Sequence, residues 1–206
     1  GVGVFAGVAK QNLYASLHAG YMAHSFESER SLFTGSGVAT AGGETDATQV
    51  YAGAEAGFEF FKTETGAFGP VARIRTSTID IDGYTEAGAG GFAGSIEDRT
   101  YAQTVASLGL GGWRMITDRA YISGEVTRAT LLHGDDAPTA LAGLNAVPGA
   151  LYELSGTAQD DDYVQLSLGA GYELSPGVVL SGRYAVEYTR DEQDFEQASL
   201  ALSFSF

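Results

Sequence analysis

The 206-residue sequence has no cysteine, little proline and few basic residues. Without cysteine the chain has no disulfides, no thiolate metal ligands and no cysteine nucleophile. It carries 11 lysines and arginines against 26 aspartates and glutamates, a net charge of −15. This argues against a nucleic-acid partner, because phosphate binding needs clustered positive charge. No run of 18 apolar residues occurs, so no transmembrane helix is predicted, and the first residues lack the features of a signal peptide.

Catalytic and metal-binding motifs are missing as well. There is no G-x-S-x-G nucleophile motif, and the three histidines, His18, His24 and His133, are widely spaced. The acidic runs at 135–136 and 160–162 lack the spacing and the turn glycine of a calcium loop, so we interpret them as solvated loop charge. We therefore expect no enzyme activity, no cofactor and no metal site.

What the sequence does contain is alternation, which is clearest in its last eleven residues, from Glu196 to Phe206. Apolar residues take every even position from Ala198 onward, and small or polar residues take the odd positions. Successive side chains of a strand point to opposite faces, so this segment predicts a strand with one apolar face. In water such an exposed terminal edge would favour aggregation, whereas a bilayer would solvate it.

The same pattern recurs along the chain and predicts nine strands. We expect them at about 2–9, 13–26, 48–61, 68–82, 99–116, 119–132, 163–174, 178–190 and 196–206. The tight turns at 10–11, 63–66, 117–118 and 175–177 alternate with connections at 27–47, 83–98, 133–161 and 191–195. The first three of these connections are long loops, and Ala150–Thr157 within the longest is interpreted as a small hairpin arm.

Short turns at one end and long loops at the other are typical of a transmembrane β-barrel with its turns in the periplasm. Strands of this length can cross the hydrocarbon at a tilt. We therefore predict an all-β, antiparallel transmembrane β-barrel, as one domain over residues 1–206, in the outer membrane of a Gram-negative bacterium. A soluble β-sandwich that acts as a binding module is an alternative. Bacterial single-chain barrels have an even strand number, so the odd count predicts at least one further strand upstream.

Eight charged residues fall on the small, polar face of their predicted strands, which is the lumen side of a barrel. They are Glu55, Glu59, Arg73, Arg75, Glu125, Glu173, Arg183 and Glu187. An arginine on the lipid face would cost about 2–4 kcal/mol at the membrane midplane, which favours this assignment of faces. The charges have two interpretations: a structural ion-pair network that fills the lumen, or a surface that holds a segment passing through it.

Several stretches, in their order along the chain, resemble the C-terminal translocator domain of type V autotransporters. The most specific is a strand with inward arginines, 69–75, followed by D-G-Y-T-E at 82–86 and S-L-G-L at 107–110. Other matching stretches are 13–21, 51–58 and the terminal Phe206.

This resemblance implies a 12-stranded barrel that lacks its N-terminal strands here, where about nine are visible. Its implied function is to anchor an N-terminal passenger in the outer membrane and to help export it to the cell surface. The eight lumen charges would seat a linker helix, and Leu202, Phe204 and Phe206 would form the C-terminal signal read by the outer-membrane assembly machinery. The implied partners are the lipid bilayer, lipopolysaccharide, that machinery, and the protein's own passenger and linker helix. A stand-alone small outer-membrane barrel, adhesin-like or porin-like, that acts through its loops or pore is the alternative.

Overall fold

The computed structural model describes residues 1–34, 37–134, 139–147, 149–155, 162–189 and 195–204. The strands in these ranges are β1 (Val2–Lys10), β2 (Leu13–Thr34), β3 (Gly37–Phe58), β4 (Phe61–Thr63), β5 (Gly66–Ile81), β6 (Tyr84–Thr85), β7 (Ala87–Gly88), β8 (Gly94–Ile96), β9 (Arg99–Thr117), β10 (Ala120–Gly134), β11 (Thr139–Leu144), β12 (Leu151–Ser155), β13 (Asp162–Ser175), β14 (Val178–Tyr188) and β15 (Phe195–Phe204). A short 3₁₀ helix spans Gly90–Phe92. No helix in the described ranges has the length and apolarity needed to cross a bilayer.

Nine long strands form the main sheet in the order β1-β2-β3-β5-β9-β10-β13-β14-β15. Each neighbouring pair on this path is antiparallel. The short strands β4 and β7 pair with β5 and β3 at the margins. The nine predicted strands are confirmed in the described part of the chain, and seven of them have boundaries within two residues of the expectation.

The two faces of the main sheet differ in chemistry because the register preserves the alternation from strand to strand. Ala54 of β3 lies opposite Leu17 of β2 and Ile74 of β5, and we call this side the apolar face. Glu55 lies opposite Arg73 on the other side, which we call the polar face. Leu17 and Ile74 remain 61% and 45% exposed, as expected for side chains that contact lipid rather than a protein core.

The structure corrects the loop expected at 27–47. Strands β2 and β3 are 22 residues each and pair without interruption from Leu13–Phe58 to Thr34–Gly37. The outer half of this hairpin carries charge on the face that is apolar in the inner half, for example where Glu27 lies opposite Glu44. A strand that extends beyond a membrane needs no apolar face. This is why the polar composition of residues 27–47 predicts a loop although the backbone hydrogen bonds between β2 and β3 continue.

The connections 83–98 and 133–161 also contain ordered strands. Strands β6 and β8 from the first join β11 and β12 from the second in a separate four-stranded sheet of order β12-β11-β8-β6. Strand β12 pairs with β11 as a hairpin, which agrees with the expected arm over 151–155, whereas residues 156 and 157 lie outside the described ranges. Most of the connection 191–195 lies outside them too.

Candidate functional site

The polar face carries an ion-pair cluster centred on Arg73 of β5. The Arg73 Nε donates a hydrogen bond to Glu55 of β3, and its two terminal nitrogens donate to the two carboxylate oxygens of Glu125 of β10. The side chains of Arg73, Glu55 and Glu125 are 18%, 27% and 14% exposed. A planar guanidinium that meets one carboxylate in bidentate fashion and a second through Nε forms strong charge-assisted hydrogen bonds.

Arg73 reaches Glu125 across an intervening strand, because β9 lies between β5 and β10. The register places Arg73 opposite Ser107 and Glu125 opposite Gly111, so the polar face of β9 carries small residues at the crossing. A Cβ on Gly111 would lie 3.3 Å from the Cγ of Glu125, which is a tight contact. The absence of a side chain at this position therefore helps to make room for the ion pair.

Arg183 of β14 approaches the cluster from the other side. Its Nη2 lies 3.9 Å from Oε1 of Glu125 and donates a 2.9 Å hydrogen bond to Oγ of Ser167. The Arg183 side chain is 52% exposed, so its long contact with Glu125 is screened by water and contributes less than the Arg73 pair. The cluster thus connects β3, β5, β10 and β14 along a cavity of about 510 Å³.

A second polar cavity of about 290 Å³ lies on the same face, nearer the outer end of β5. It is lined by Arg75, Glu187, His18 and Tyr163, and Nε2 of Gln165 donates a 2.8 Å hydrogen bond to Glu187. Tyr163 is buried, which places an aromatic ring at the outer margin of this polar surface.

The eight predicted charges fall into three sets. The first cavity is lined by Glu55, Glu59, Arg73, Glu125 and Arg183, and the second by Arg75 and Glu187. Glu59 is not part of the Arg73 ion-pair cluster: it forms a 2.6 Å ion pair with Lys62, beside the turn that joins β4 to β5. Glu173 lies near the end of β13 that leads into the turn before β14, and no ion pair in the described part of the chain involves it. The role of all eight residues stays a prediction.

Two of the three residues of the predicted C-terminal signal lie on the apolar face of β15. Leu202 pairs with Leu180 and Phe204 with Val178 of β14, and both side chains are more than half exposed. Phe206 lies outside the described residues. The signal function of these residues stays a prediction.

An ion pair that no sequence pattern indicates joins the outer half of the β2–β3 hairpin to the second sheet. Arg30 of β2 donates two hydrogen bonds, of 2.7 and 2.6 Å, to the carboxylate of Glu86, and one of 2.8 Å to the carbonyl of Phe92. Gly94 N donates to the same carboxylate at 2.7 Å, and Glu86 is buried. The hydrogen bonds from Arg30 lower the pKa of Glu86 below its usual value. Glu86 is the last residue of the D-G-Y-T-E segment. The motif therefore includes this residue but gives no indication of its contact with Arg30.

A contact between a tyrosine and a glycine, which the alternation does not reveal, recurs three times on the polar face. The pairs are Tyr14 over Gly57, Tyr51 over Gly20 and Tyr121 over Gly171. An added Cβ at any of these glycines would lie 2.2–2.8 Å from the tyrosine ring or hydroxyl. Each tyrosine therefore fills the space that the glycine leaves on the neighbouring strand.

Comparison with known proteins places this architecture in a family. A model of the autotransporter beta-domain matches residues 1–185. Two curated relatives, both named Esterase EstA, from Pseudomonas aeruginosa and Pseudomonas putida, are 28% identical over 138 residues. This region is 66% of the present chain and 21% of each relative, so the match spans about a fifth of the length of those proteins.

The fold is also similar to a solved structure, the translocator domain of autotransporter NalP from Neisseria meningitidis. The TM-score is 0.72 at 18% sequence identity, over 99% of this chain and 65% of that chain. At this identity the similarity concerns the fold alone. It confirms the predicted antiparallel β-barrel architecture and gives no support to the soluble β-sandwich.

Proposed function

This chain belongs to the autotransporter β-domain family, and from that membership we propose that it carries the passenger of a longer protein across the outer membrane. It is an outer-membrane protein of a Gram-negative bacterium, as predicted. The family match favours a translocator barrel over the stand-alone barrel that the sequence left open. In this proposal the main and second sheets form one domain that anchors the passenger and helps it to the cell surface.

The observation that carries the proposal is the ion-pair cluster of Glu55, Arg73 and Glu125 in the middle of the polar face. An extended or helical segment that moves through a barrel must exchange its water shell for polar groups on the wall. A wall with both signs of charge and small residues offers such groups to many sequences. Arg183 is the most exposed of the cluster arginines, so it is the member best placed to contact a passing segment or a linker helix.

Assembly in the membrane is a second part of the proposal. The apolar face would contact the bilayer and, at its outer margin, lipopolysaccharide. Leu202, Phe204 and Phe206 would be recognised by the outer-membrane assembly machinery, because Leu202 and Phe204 present apolar and aromatic side chains on β15 and the sequence continues the same alternation to Phe206.

Catalysis is not part of the role proposed for this chain. The fold is that of a translocator domain rather than of an enzyme. Two relatives are named esterases, but the match to them covers about a fifth of their length. Any activity of a passenger is therefore a separate question from the function of this domain.

The test is surface display of the passenger from the natural full-length protein, with an epitope tag placed ahead of residue 1. Antibody binding and protease access on intact cells measure export, and the heat-dependent gel mobility of the barrel measures its folding. We expect surface exposure for the unchanged protein. We also expect it to be slowed several-fold by R183Q and unchanged by R128Q, which removes an exposed arginine outside the cluster.

A tag that stays in the periplasm while the barrel is folded would refute the proposed export. Equal export rates for R183Q and R128Q would refute only the contact between the cluster and the passing segment.

A further inference from the structure

A groove of about 670 Å³ lies on the apolar face near the periplasmic end of the main sheet. Its floor is formed by Gly112 of β9 and Gly124 of β10, which lie opposite each other. Phe68 of β5 pairs with Gly112 on one side, and Leu168 of β13 pairs with Gly124 on the other. Neither glycine adds a side chain, and the two large apolar residues lean toward them: the Phe68 ring lies 3.1 Å from the Cβ position of Gly112, and Leu168 lies 3.6 Å from that of Gly124. The groove therefore runs between the side chains of Phe68 and Leu168. Strands β9 and β10 lie between those of Phe68 and Leu168, so the two residues are three strand spacings of about 4.8 Å apart along the sheet.

A single cation stands at the periplasmic end of this groove. Arg114 follows Gly112 by two residues on the same face and lies opposite Gly66 and Ile122. Its side chain is exposed, and in the described ranges it forms no ion pair and no side-chain hydrogen bond. Thr65, which bears a hydroxyl, also lines the groove.

The position of Arg114 matches the level of lipid headgroups. An arginine on the lipid face is strongly destabilising at the membrane midplane and close to neutral near the interface. Strand β9 ends three residues later, at Thr117, where a tight turn leads into β10. Phe68 lies opposite Gly112, two residues further into the sheet than Arg114, and pairs with Phe61; both are the kind of aromatic residue found at the interface.

We propose that this groove binds one phospholipid of the periplasmic leaflet. An acyl chain lies between the side chains of Phe68 and Leu168, across strands β9 and β10, and the phosphate of the headgroup accepts hydrogen bonds from the guanidinium of Arg114. Charge complementarity selects this occupant, because an apolar channel with one unpaired cation at its end fits an acyl chain attached to an anion. Guanidinium groups bind phosphate oxygens in bidentate geometry. The proposal rests on the outer-membrane placement of the chain and is independent of passenger export.

The experiment is native mass spectrometry of the natural protein extracted from outer membranes, freed of lipid by detergent exchange and titrated with phosphatidylglycerol. We expect one saturable lipid adduct. R114Q should weaken it about fivefold, since one basic residue near a membrane surface contributes about that factor. R119Q, which removes the neighbouring arginine in the turn outside the groove, should leave the adduct unchanged.

A second variant tests the groove itself. A Cβ on Gly124 would meet its nearest atoms at 3.6 and 4.0 Å, which are ordinary contacts, so the backbone accepts a side chain here and G124L would extend one into the groove. We expect G124L to reduce the adduct while the barrel keeps its heat-dependent gel mobility, which is measured for every variant.

Three outcomes would overturn the proposal. The first is equal lipid binding by R114Q and R119Q. The second is full displacement of the lipid by inorganic phosphate while G124L has no effect, which would mean an anion site without use of the groove. The third is a dimer, in place of a lipid adduct, that G124L dissociates, which would mean that a second copy covers the groove. None of these outcomes bears on surface display of the passenger, which is measured separately.

Discussion

Replacement of Arg73 by glutamine should destabilise the barrel more than any other single loss of charge in the ion-pair network. Among the described side chains, Arg73 alone forms ion pairs with both Glu55 and Glu125, so R73Q leaves two carboxylates without the cation that lies between them. Removal of one partner from a fully buried ion pair costs about 3–5 kcal/mol. These side chains retain 14–27% exposure, so we expect a loss of about 2–4 kcal/mol in the free energy of unfolding.

The assay is urea unfolding of the protein in phospholipid vesicles, followed by the loss of the heat-resistant gel band. R128Q is the control for an exposed pair: Arg128 lies on the apolar face of β10, opposite Leu108 and Val164, and forms a 2.8 Å ion pair with Asp162 in which the two side chains are 69% and 46% exposed. Such surface pairs contribute about 0–1 kcal/mol. The triple variant R73Q/E55Q/E125Q should recover most of the loss, since neutral side chains remove the repulsion while keeping hydrogen bonds.

Two results would contradict this reasoning. If R73Q cost no more than R128Q, the cluster would be hydrated enough to behave as a surface pair. If the triple variant were as unstable as R73Q, the loss would come from packing of the long arginine side chain across β9, and the charges would have no net role.

Two further predictions concern contacts that join neighbouring strands. E86Q should weaken the link between the outer hairpin and the second sheet. Proteinase K should then cleave within 83–98 several-fold faster on intact cells. Unchanged cleavage would mean that the strand pairing of β6 and β8 alone holds this region. G171A should lower the free energy of unfolding by about 1–3 kcal/mol, because its Cβ would lie 2.2 Å from the Tyr121 ring. The double variant G171A/Y121A should lose less free energy of unfolding than the sum of the two single variants. Strict additivity would argue against a direct contact.

The Glu86 ion pair also has a defined pH dependence. Its pKa is lowered in the folded protein, so the stabilisation is fully present above the unfolded value of about 4.3 and is lost as the pH falls through the folded value. Amide hydrogen exchange in 83–98, corrected for its intrinsic rate, should therefore rise at acidic pH in the unchanged protein. In E86Q this rise should be absent.

Much of the main sheet follows from the sequence because a strand has a side-chain period of two. A slip of one residue would move every apolar side chain to the polar face, so alternation sets the strand positions, and the faces of Glu55, Arg73 and Glu125, wherever one face is consistently apolar. This is why β9, β10 and β13 lie within two residues of their predicted boundaries. It is also why Glu55, Arg73 and Glu125 share a face, as predicted. Short motifs such as D-G-Y-T-E at 82–86 also indicated the family, and with it the function that the family implies.

The tertiary structure decided which of those residues meet. Arg73 and Glu125 are 52 positions apart, and their contact needs the register of three strands and a small residue at position 111 in the strand between them. The outer hairpin of β2 and β3 was hidden because, beyond the lipid, both faces contact water and no alternation distinguishes a strand from a loop. The second sheet combines strands from two separate connections, and Arg30 finds Glu86 only when that sheet is in place. Periodicity is a local property that the solvent on each face imposes on the chain, whereas pairing between distant side chains depends on the spatial arrangement of the strands.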